Sequence, residues 1–308
     1  MSPRVVALGG GHGLAATLNS LRSLTSEITA VVTVADNGGS SGRLRQEFNQ
    51  LPPGDLRMAL AALCADDEWG RSWAQVLQHR FTSSGEMNGH AVGNLLLSAL
   101  WDMDSNLVLG LDRVGELLKV VGRVLPMAIE PLDIAGTFRT KYGIQEVRGQ
   151  VQVATTNGEL QSLRLIPEQP QATPEVLAAI ADAEWITIGP GSWFSSVMPH
   201  VLLNAQAGAI SDSPAKIILI FNLPENERDG EFAGNSPEEH LQLLRNHLPN
   251  LHLDYAIADP SVITPTSTLA ELVKSCGGEL LVADIAQRDN PHHHDPEKLT
   301  SVFAHIFG

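Results

Sequence analysis

The chain has 308 residues, 43% of them hydrophobic, and carries 20 Lys and Arg against 35 Asp and Glu, a formal net charge of −15. So acidic a surface repels nucleic-acid backbones and anionic membranes, which excludes a long polyanionic partner; a small anion can still bind where local groups outweigh the global field. The only cysteines, Cys64 and Cys276, lie far apart and outside any CxxC, so no disulfide framework is expected and a reducing cytoplasm is. Met1-Ser2-Pro3-Arg4 enters an apolar strand at once with no leader, and apolar runs such as Leu95-Leu96-Leu97 are far short of a membrane span. The expectation is a cytoplasmic protein with no membrane insertion.

In chain order, short β-branched runs alternate with segments of helical period, the pattern of parallel strands joined by helical crossovers. Strands are predicted at Val5–Leu8 and Ala30–Val34, then at Trp185–Ile188, Lys216–Phe221, Tyr255–Ala258 and Leu280–Ala283. Helices are predicted over Ala15–Leu24, Leu56–Ala65, Gly93–Leu100, Leu111–Val120, Pro174–Ala183, Pro237–His247, Ser267–Ser275 and Pro296–Ile306. Ser236 and Asp295 each precede Pro and Glu, a helix-start signature. From Arg123 to about Pro167 the pattern changes: Gly136–Thr140 and Val147–Val153 alternate apolar and polar, and Asn157-Gly158 reads as a hairpin turn. Residues 1–308 therefore read as one α/β domain, a Rossmann-like, doubly wound and mostly parallel sheet, with a small antiparallel insertion at about 123–167.

Nearly every core strand runs into a loop rich in Gly, Ser, Asn, Asp or His, and in a doubly wound sheet those loops open on one ligand-binding edge. After the first strand, Gly9-Gly10-Gly11-His12-Gly13 leads into a helix. Such a loop lets the backbone close around a phosphate at a helix N-terminus; a tight turn without a ligand is the plainer alternative. The dinucleotide fingerprint is half present, since Leu14 stands at the third glycine position, although Asp36 sits where a ribose-binding carboxylate belongs. Asp36, Asn37, Gly38, Gly39, Ser40 and Ser41, followed by Gly42 and Arg43, suit an anion nest with hydroxyls and a guanidinium added.

Asp55, in Pro52-Pro53-Gly54-Asp55, reads equally as the N-cap of a helix and as a ligand group. Asn94 is open between binding a ligand and satisfying a buried backbone group. Gly189, Pro190, Gly191 and Ser192 form a second glycine-serine cradle, with Asn222 at the end of the next strand. Three consecutive histidines, His292 to His294, cannot easily face one ion, so zinc is not expected, although His294 can still face the cleft. Mg²⁺ brought in with a diphosphate and held by Asp36 or Asp55 fits better, with no cofactor otherwise required. There is no GxSxG elbow, Cys–His pairing or Walker A lysine. Catalytic residues are thus unassigned beyond the candidates Asp36 and Asp55.

The segments VVALGGGHGL, VTVADNGGSSGRLR, PPGDLRMAL, GHAVGNLLL, TIGPGSWFSSVMP, IFNL and HDPEKL, in this order over essentially the whole chain, resemble the YvcK (gluconeogenesis factor) family of the CofD-like superfamily. The resemblance implies a Rossmann-like protein that binds UDP-sugars, notably UDP-N-acetylglucosamine, and is linked to cell shape and peptidoglycan synthesis during gluconeogenic growth. It also implies a homodimer and cell-wall synthesis regulators as partners. The related CofD enzymes transfer a phospholactyl group to a deazaflavin precursor with Mg²⁺, which is the alternative function. Two residues depart from the family pattern: His12 replaces Thr in the glycine loop, and Asn37 replaces the second Asp of ADDGG. Both favour binding over transfer.

Overall fold

The computed structural model describes residues 2–224 and 236–308. In chain order the elements begin with β1 (Val5–Gly9), α1 (Gly11–Leu21), β2 (Ile28–Val32), α2 (Gly39–Phe48), α3 (Pro53–Leu63), α4 (Glu68–Gln78), α5 (Val92–Met103), α6 (Leu107–Leu118) and β3 (Arg123–Pro126). An insertion follows: β4 (Asp133–Thr140), β5 (Gly143–Arg148), α7 (Gln150–Thr155) and β6 (Glu159–Ile166). The second half holds α8 (Pro174–Asp182), β7 (Trp185–Ile188), a π-helical turn (Trp193–Val197), α9 (Met198–Leu202), α10 (Asn204–Asp212) and β8 (Lys216–Ile220). It ends with α11 (Pro237–His247), β9 (Tyr255–Ala258), α12 (Leu269–Ser275), β10 (Glu279–Val282) and α13 (Pro296–Phe307).

Seven strands form one sheet in the order β10-β9-β8-β7-β1-β2-β3, every pair parallel. The chain first moves outward from β1 through β2 to β3, then returns to β7 on the other side of β1 and proceeds to β10. Right-handed crossovers in these two directions place helices on opposite faces. Accordingly α1 packs on α3 and α13, while α8 packs on α10. The strands are continuous apolar runs because both faces are covered: β1 and β7 are buried at every residue. The point where strand order reverses lies between β1 and β7, paired from Val5↔Trp185 to Leu8↔Ile188.

The insertion is smaller than expected. Arg123–Pro126 is not part of it but the edge strand of the main sheet, paired with β2 from Thr29↔Arg123 to Val32↔Pro126. Its last three residues are all buried, the signature of a two-sided parallel strand rather than of alternation. The antiparallel sheet is β5-β4-β6. Val147–Val153 is not one strand: Gly149, at φ 103°, ends β5, and its N–H bonds Ile134 O before α7 begins. Val153 is buried and Val151 exposed, so an alternating pattern was produced by a helical turn. The tight turn between antiparallel strands is Lys141-Tyr142, closed by Thr140 opposite Gly143, whereas Asn157-Gly158 joins α7 to β6.

At the switch point two loops touch. A methyl group added to Gly13, in the first turn of α1, would stand 2.2 Å from the Pro190 carbonyl oxygen, and one on Gly191 would stand 2.9 Å from Ser196 Cβ. In an isolated helix Gly→Ala stabilises by up to about 1 kcal/mol. Here Gly13→Ala is expected to destabilise by about 1–3 kcal/mol through overpacking against backbone. The opposite sign in chemical denaturation would show that the loops separate freely.

Candidate functional site

Helix α1 opens directly from β1 and has no capping side chain of its own: Gly10 is its N-cap and its first turn contains no acid. The missing acceptor comes from α3. Asp55 is not the N-cap of its own helix, where Pro52 stands, but sits in the first turn and turns its carboxylate to the Gly11 N–H. Gly10 makes this approach possible, since a Cβ there would lie 2.6 Å from Asp55 Oδ2 and 2.5 Å from Thr33 Cγ2. Beneath the loop, the buried His200 reaches Gly9 O through Nε2 at 3.3 Å. Gln206 Nε2 lies 2.8 Å from the Nδ1 of the same ring. An amide N–H can only donate, so Nδ1 accepts and Nε2 carries the proton. Burial holds the His200 pKa at about 4, so the ring stays neutral.

The Asp36–Gly42 segment is a helix start rather than an open nest. Asp36 Oδ1 accepts the Gly38 N–H at 2.9 Å, and its carboxylate also receives Ser41, so the acid itself caps α2. Asn37 is exposed and lies against the insertion, its Nδ2 3.1 Å from where a Cβ on Gly149 would sit. Ser40 is buried and turned inward, which removes it from the ligand surface. The Arg43 guanidinium binds Glu86 O and Asn88 O, both at 2.7 Å, pinning the loop between α4 and α5.

Asn94 belongs to a buried relay. Arg57 Nε donates to Asn94 Oδ1 at 2.9 Å, Asn94 Nδ2 donates to Ser40 Oγ at 3.0 Å, and Ser40 Oγ meets His90 Nδ1 at 3.0 Å. An arginine can only donate, so the direction of the chain is fixed: Asn94 presents oxygen to Arg57 and nitrogen to Ser40. Ser40 Oγ and His90 Nδ1 then share a bond, and the His90 pKa is lowered mainly by burial. Ser40 Oγ already accepts from Asn94 and is sealed from the cleft, so its pairing with a histidine makes a structural contact and not a nucleophile.

On the other side of α1 lies a cavity of about 330 Å³, bounded by His12, Asn19, Ser192, Asn222, Gln287 and His293 among others. The His12 and His293 rings face each other with centroids 5.6 Å apart. Asn222 lines this space and also clamps Gly191 with two bonds of 2.9 Å, accepting from its N–H and donating from Nδ2 to its C=O. Ser192 accepts the Ser195 N–H at the start of the π-helical turn. His294 lines the cavity but is buried, its Nε2 3.2 Å from Phe221 O, and burial lowers its pKa to about 4. Asn222 and His294 therefore line the cavity while each is also tied to backbone of the β7–β8 half.

The first turn of α1 thus has different surroundings on its two sides. One is the cavity with His12 and His293. On the other the carboxylates of Asp36 and Asp55 interact with each other, and two arginines that sequence reading did not single out, Arg57 and Arg80, are near; both lower the His12 pKa by their charge, after burial and His293. One signal was present: Arg57 interrupts an apolar helical face of Leu56, Ala59 and Leu60, which marks a buried cation. Nothing in the sequence marks His200, Gln206, Asn19 or Gln287.

Among the described residues no cluster of three or more His, Cys, Asp or Glu is disposed to hold a metal ion. Mg²⁺ takes one or two carboxylates and completes its shell with phosphate oxygens and water. Asp36 and Asp55 are the residues that would hold it. Burial, and then the charge of Asp36, raise Asp55 to about 7; burial also raises Asp36.

The family model for the 2-phospho-L-lactate transferase CofD matches residues 5–303. The chain belongs to the CofD family. It is 31% identical over 261 residues to the gluconeogenesis factor of Listeria monocytogenes, covering 85% of this chain and 79% of that protein. A Mycobacterium tuberculosis protein given that name provisionally is 45% identical over 309 residues, covering 98% of this chain and 90% of the relative. The crystal structure of a Bacillus halodurans protein superposes with a TM-score of 0.87 at 30% identity, covering 99% of this chain and all of that one. The Rossmann-like architecture is thus shared with relatives along the whole length. No helix among the described residues is long and apolar enough to cross a membrane.

The Asp55 environment gives a signed prediction. Its folded pKa, about 7, is raised above the ordinary 3.8. Between those values the unfolded chain ionises first, so stability is lost as pH rises through the window. Asp55→Asn keeps an acceptor oxygen for Gly11 and removes the titration. Its melting temperature is expected to match the parent near pH 4 and exceed it by a few degrees at pH 8 in calorimetry. A difference independent of pH would show that Asp55 is not held neutral.

Proposed function

We propose that this protein binds a nucleotide sugar of the UDP-N-acetylglucosamine type and acts as a regulatory sensor of that ligand in the cytoplasm. The observation that carries the reading is the meeting of two glycine loops, Gly9–Gly13 and Gly189–Ser192, at the switch point of the parallel sheet, with a cavity beside the first turn of α1. This is where open α/β sheets bind nucleotides. A diphosphate laid across the turn leaves one end of the ligand in the cavity beside Asn19 and Gln287, the other beside Asp55. The amides of both side chains match the donors and acceptors of a base or a sugar. The names borne by the Listeria and Mycobacterium relatives support a role in gluconeogenic growth, and cell shape and peptidoglycan synthesis are the processes we assign to the sensor.

Calorimetric titration with UDP-N-acetylglucosamine is expected to give a saturable heat and a thermal shift. Neither signal at millimolar ligand would overturn the reading.

A second reading has its own observation: Asp36 and Asp55 come together at the starts of α1 and α2, and the matching family model bears the name of a transferase. On this reading Mg²⁺ at the two carboxylates would stabilise charge on a phosphoanhydride. Incubating the protein with Mg²⁺, a nucleoside-diphosphate-activated phospholactate and a deazaflavin acceptor would yield the phospholactyl product by mass spectrometry. An inert mixture removes the transferase reading and leaves the binding one intact.

A further inference from the structure

Arg57 is the group in the cleft whose placement the contacts above leave unexplained. It is 3% exposed, a depth at which charged side chains occur almost only when paired. Its Nε is committed to Asn94, but its Nη1 is buried and finds no acceptor among the described residues. The nearest acid is Asp55, which is directed to the Gly11 N–H and, held near 7, supplies only a partial charge at neutral pH. Arg80 is close enough to repel Arg57, and together with burial it lowers the Arg57 pKa to about 10. The Asn94 relay meanwhile fixes the guanidinium plane from behind, so the side chain cannot swing outward to solvent without breaking a buried hydrogen bond.

Two cations held together without a bonded acid destabilise a fold, and the more so in a low-dielectric setting. An anion supplied from outside relieves both the repulsion and the unmatched donor, and a guanidinium with a free edge fits phosphate oxygens. We propose that Arg57 and Arg80 form a second anion subsite on the Asp55 side of the glycine loop, one that grips the outer phosphoryl group of a nucleoside diphosphate. The subsite deepens the nucleotide-binding reading and rests on it for the identity of the ligand. The first phosphate lies on the α1 turn; the arginines distinguish a diphosphate from a monophosphate.

The test compares UDP and UMP in calorimetric titrations of the parent, Arg57→Gln, Arg80→Gln and Asn94→Ala. The parent should bind UDP more tightly than UMP. Arg57→Gln should weaken UDP by on the order of 10- to 100-fold, the range for hydrogen bonds to charged groups, and leave UMP within about twofold. Asn94→Ala, which removes the acceptor that orients Arg57, should move UDP in the same direction with UMP unchanged. Arg80→Gln alters an exposed side chain and keeps the test open if a core variant fails to fold; it too should reduce the UDP preference. Arg57→Gln should melt no lower than the parent, since it removes a buried, unmatched charge; a purely structural arginine would give the reverse.

Equal losses for UDP and UMP, or no loss for either in Arg57→Gln and Arg80→Gln, would overturn the subsite. If the parent binds no uridine nucleotide, the nucleotide reading fails, and inorganic pyrophosphate against phosphate decides the subsite by itself. A pyrophosphate preference lost in the arginine variants supports it, and no preference in the parent overturns it.

Discussion

Contact between the first turn of α1 and the Pro190 carbonyl is the constraint from which the rest of the cleft follows. Gly13 permits it, and the β1–β7 pairing brings the two loops to the same height on the sheet edge. With that contact closed, the α1 turn becomes a partition rather than an open loop. The cavity with His12 and His293 falls on the β7–β10 side, and the carboxylates and arginines on the β2–β3 side. His200 and Asn222 serve the same constraint from below, one holding Gly9 and the other Gly191. Their neutral polar groups, that of His200 fully buried, fix backbone without adding charge, so the potential inside the cleft is left to a few side chains.

Those side chains work against a strongly acidic molecule. Helix starts carry partial positive charge, and free N–H groups at them attract anions. In this protein the protein's own acids reach them first: Asp55 takes Gly11 and Asp36 takes Gly38. A phosphate arriving at α1 therefore meets Asp55 as a neighbour. The pressure of burial and of Asp36 toward protonating Asp55 lowers that repulsion, and a hard cation between the acids and the phosphate would lower it further. Arg57 and Arg80 act in the same direction. Electrostatics of this kind are local, which is why a strongly acidic net charge does not by itself exclude a nucleotide.

Much of the architecture was legible because buried parallel strands are continuous apolar runs. Trp185–Ile188 and Tyr255–Ala258 fall on the residues expected, as does α11, where Ser236 with Glu239 forms a capping box. Two helices of the first half were missed. α2 is GSSGRLRQEF and reads as a polar loop, whereas α4 carries an apolar stripe at Trp69, Trp73, Val76 and Leu77 that was overlooked between polar residues. α1 begins four residues before its predicted start because its first turn is made of glycines, which sequence reads as loop. At the site, the glycines and Asp36 were visible as residue types at strand ends. What each polar group does was not. Ser40, Arg43, Asn94, Asn222 and His294 all proved to be committed to protein partners, and those partners, from Glu86 to Phe221, lie far away in sequence. Long-range pairing of that kind leaves no local signature.

The two departures from the family pattern then carry different weights. Asn37 is exposed and turned toward Gly149 of the insertion, so the carboxylate replaced there belongs to the mouth of the cleft. Asp36 and Asp55, which reach the helix starts, are both retained, and a hard-cation site does not depend on residue 37. His12 is the weightier change. It stands on the partition itself, faces His293 across the cavity, and is held toward its neutral form by burial, by His293 and by both arginines. A neutral imidazole at that position offers one donor and one acceptor and a flat face in place of a small hydroxyl. That exchange alters the shape and polarity of the cavity side and leaves the backbone of the α1 turn as it is. On the proposed nucleotide-binding reading, the residue that sets this chain apart therefore bears on what the ligand carries at that end, and the glycine loop on its phosphates.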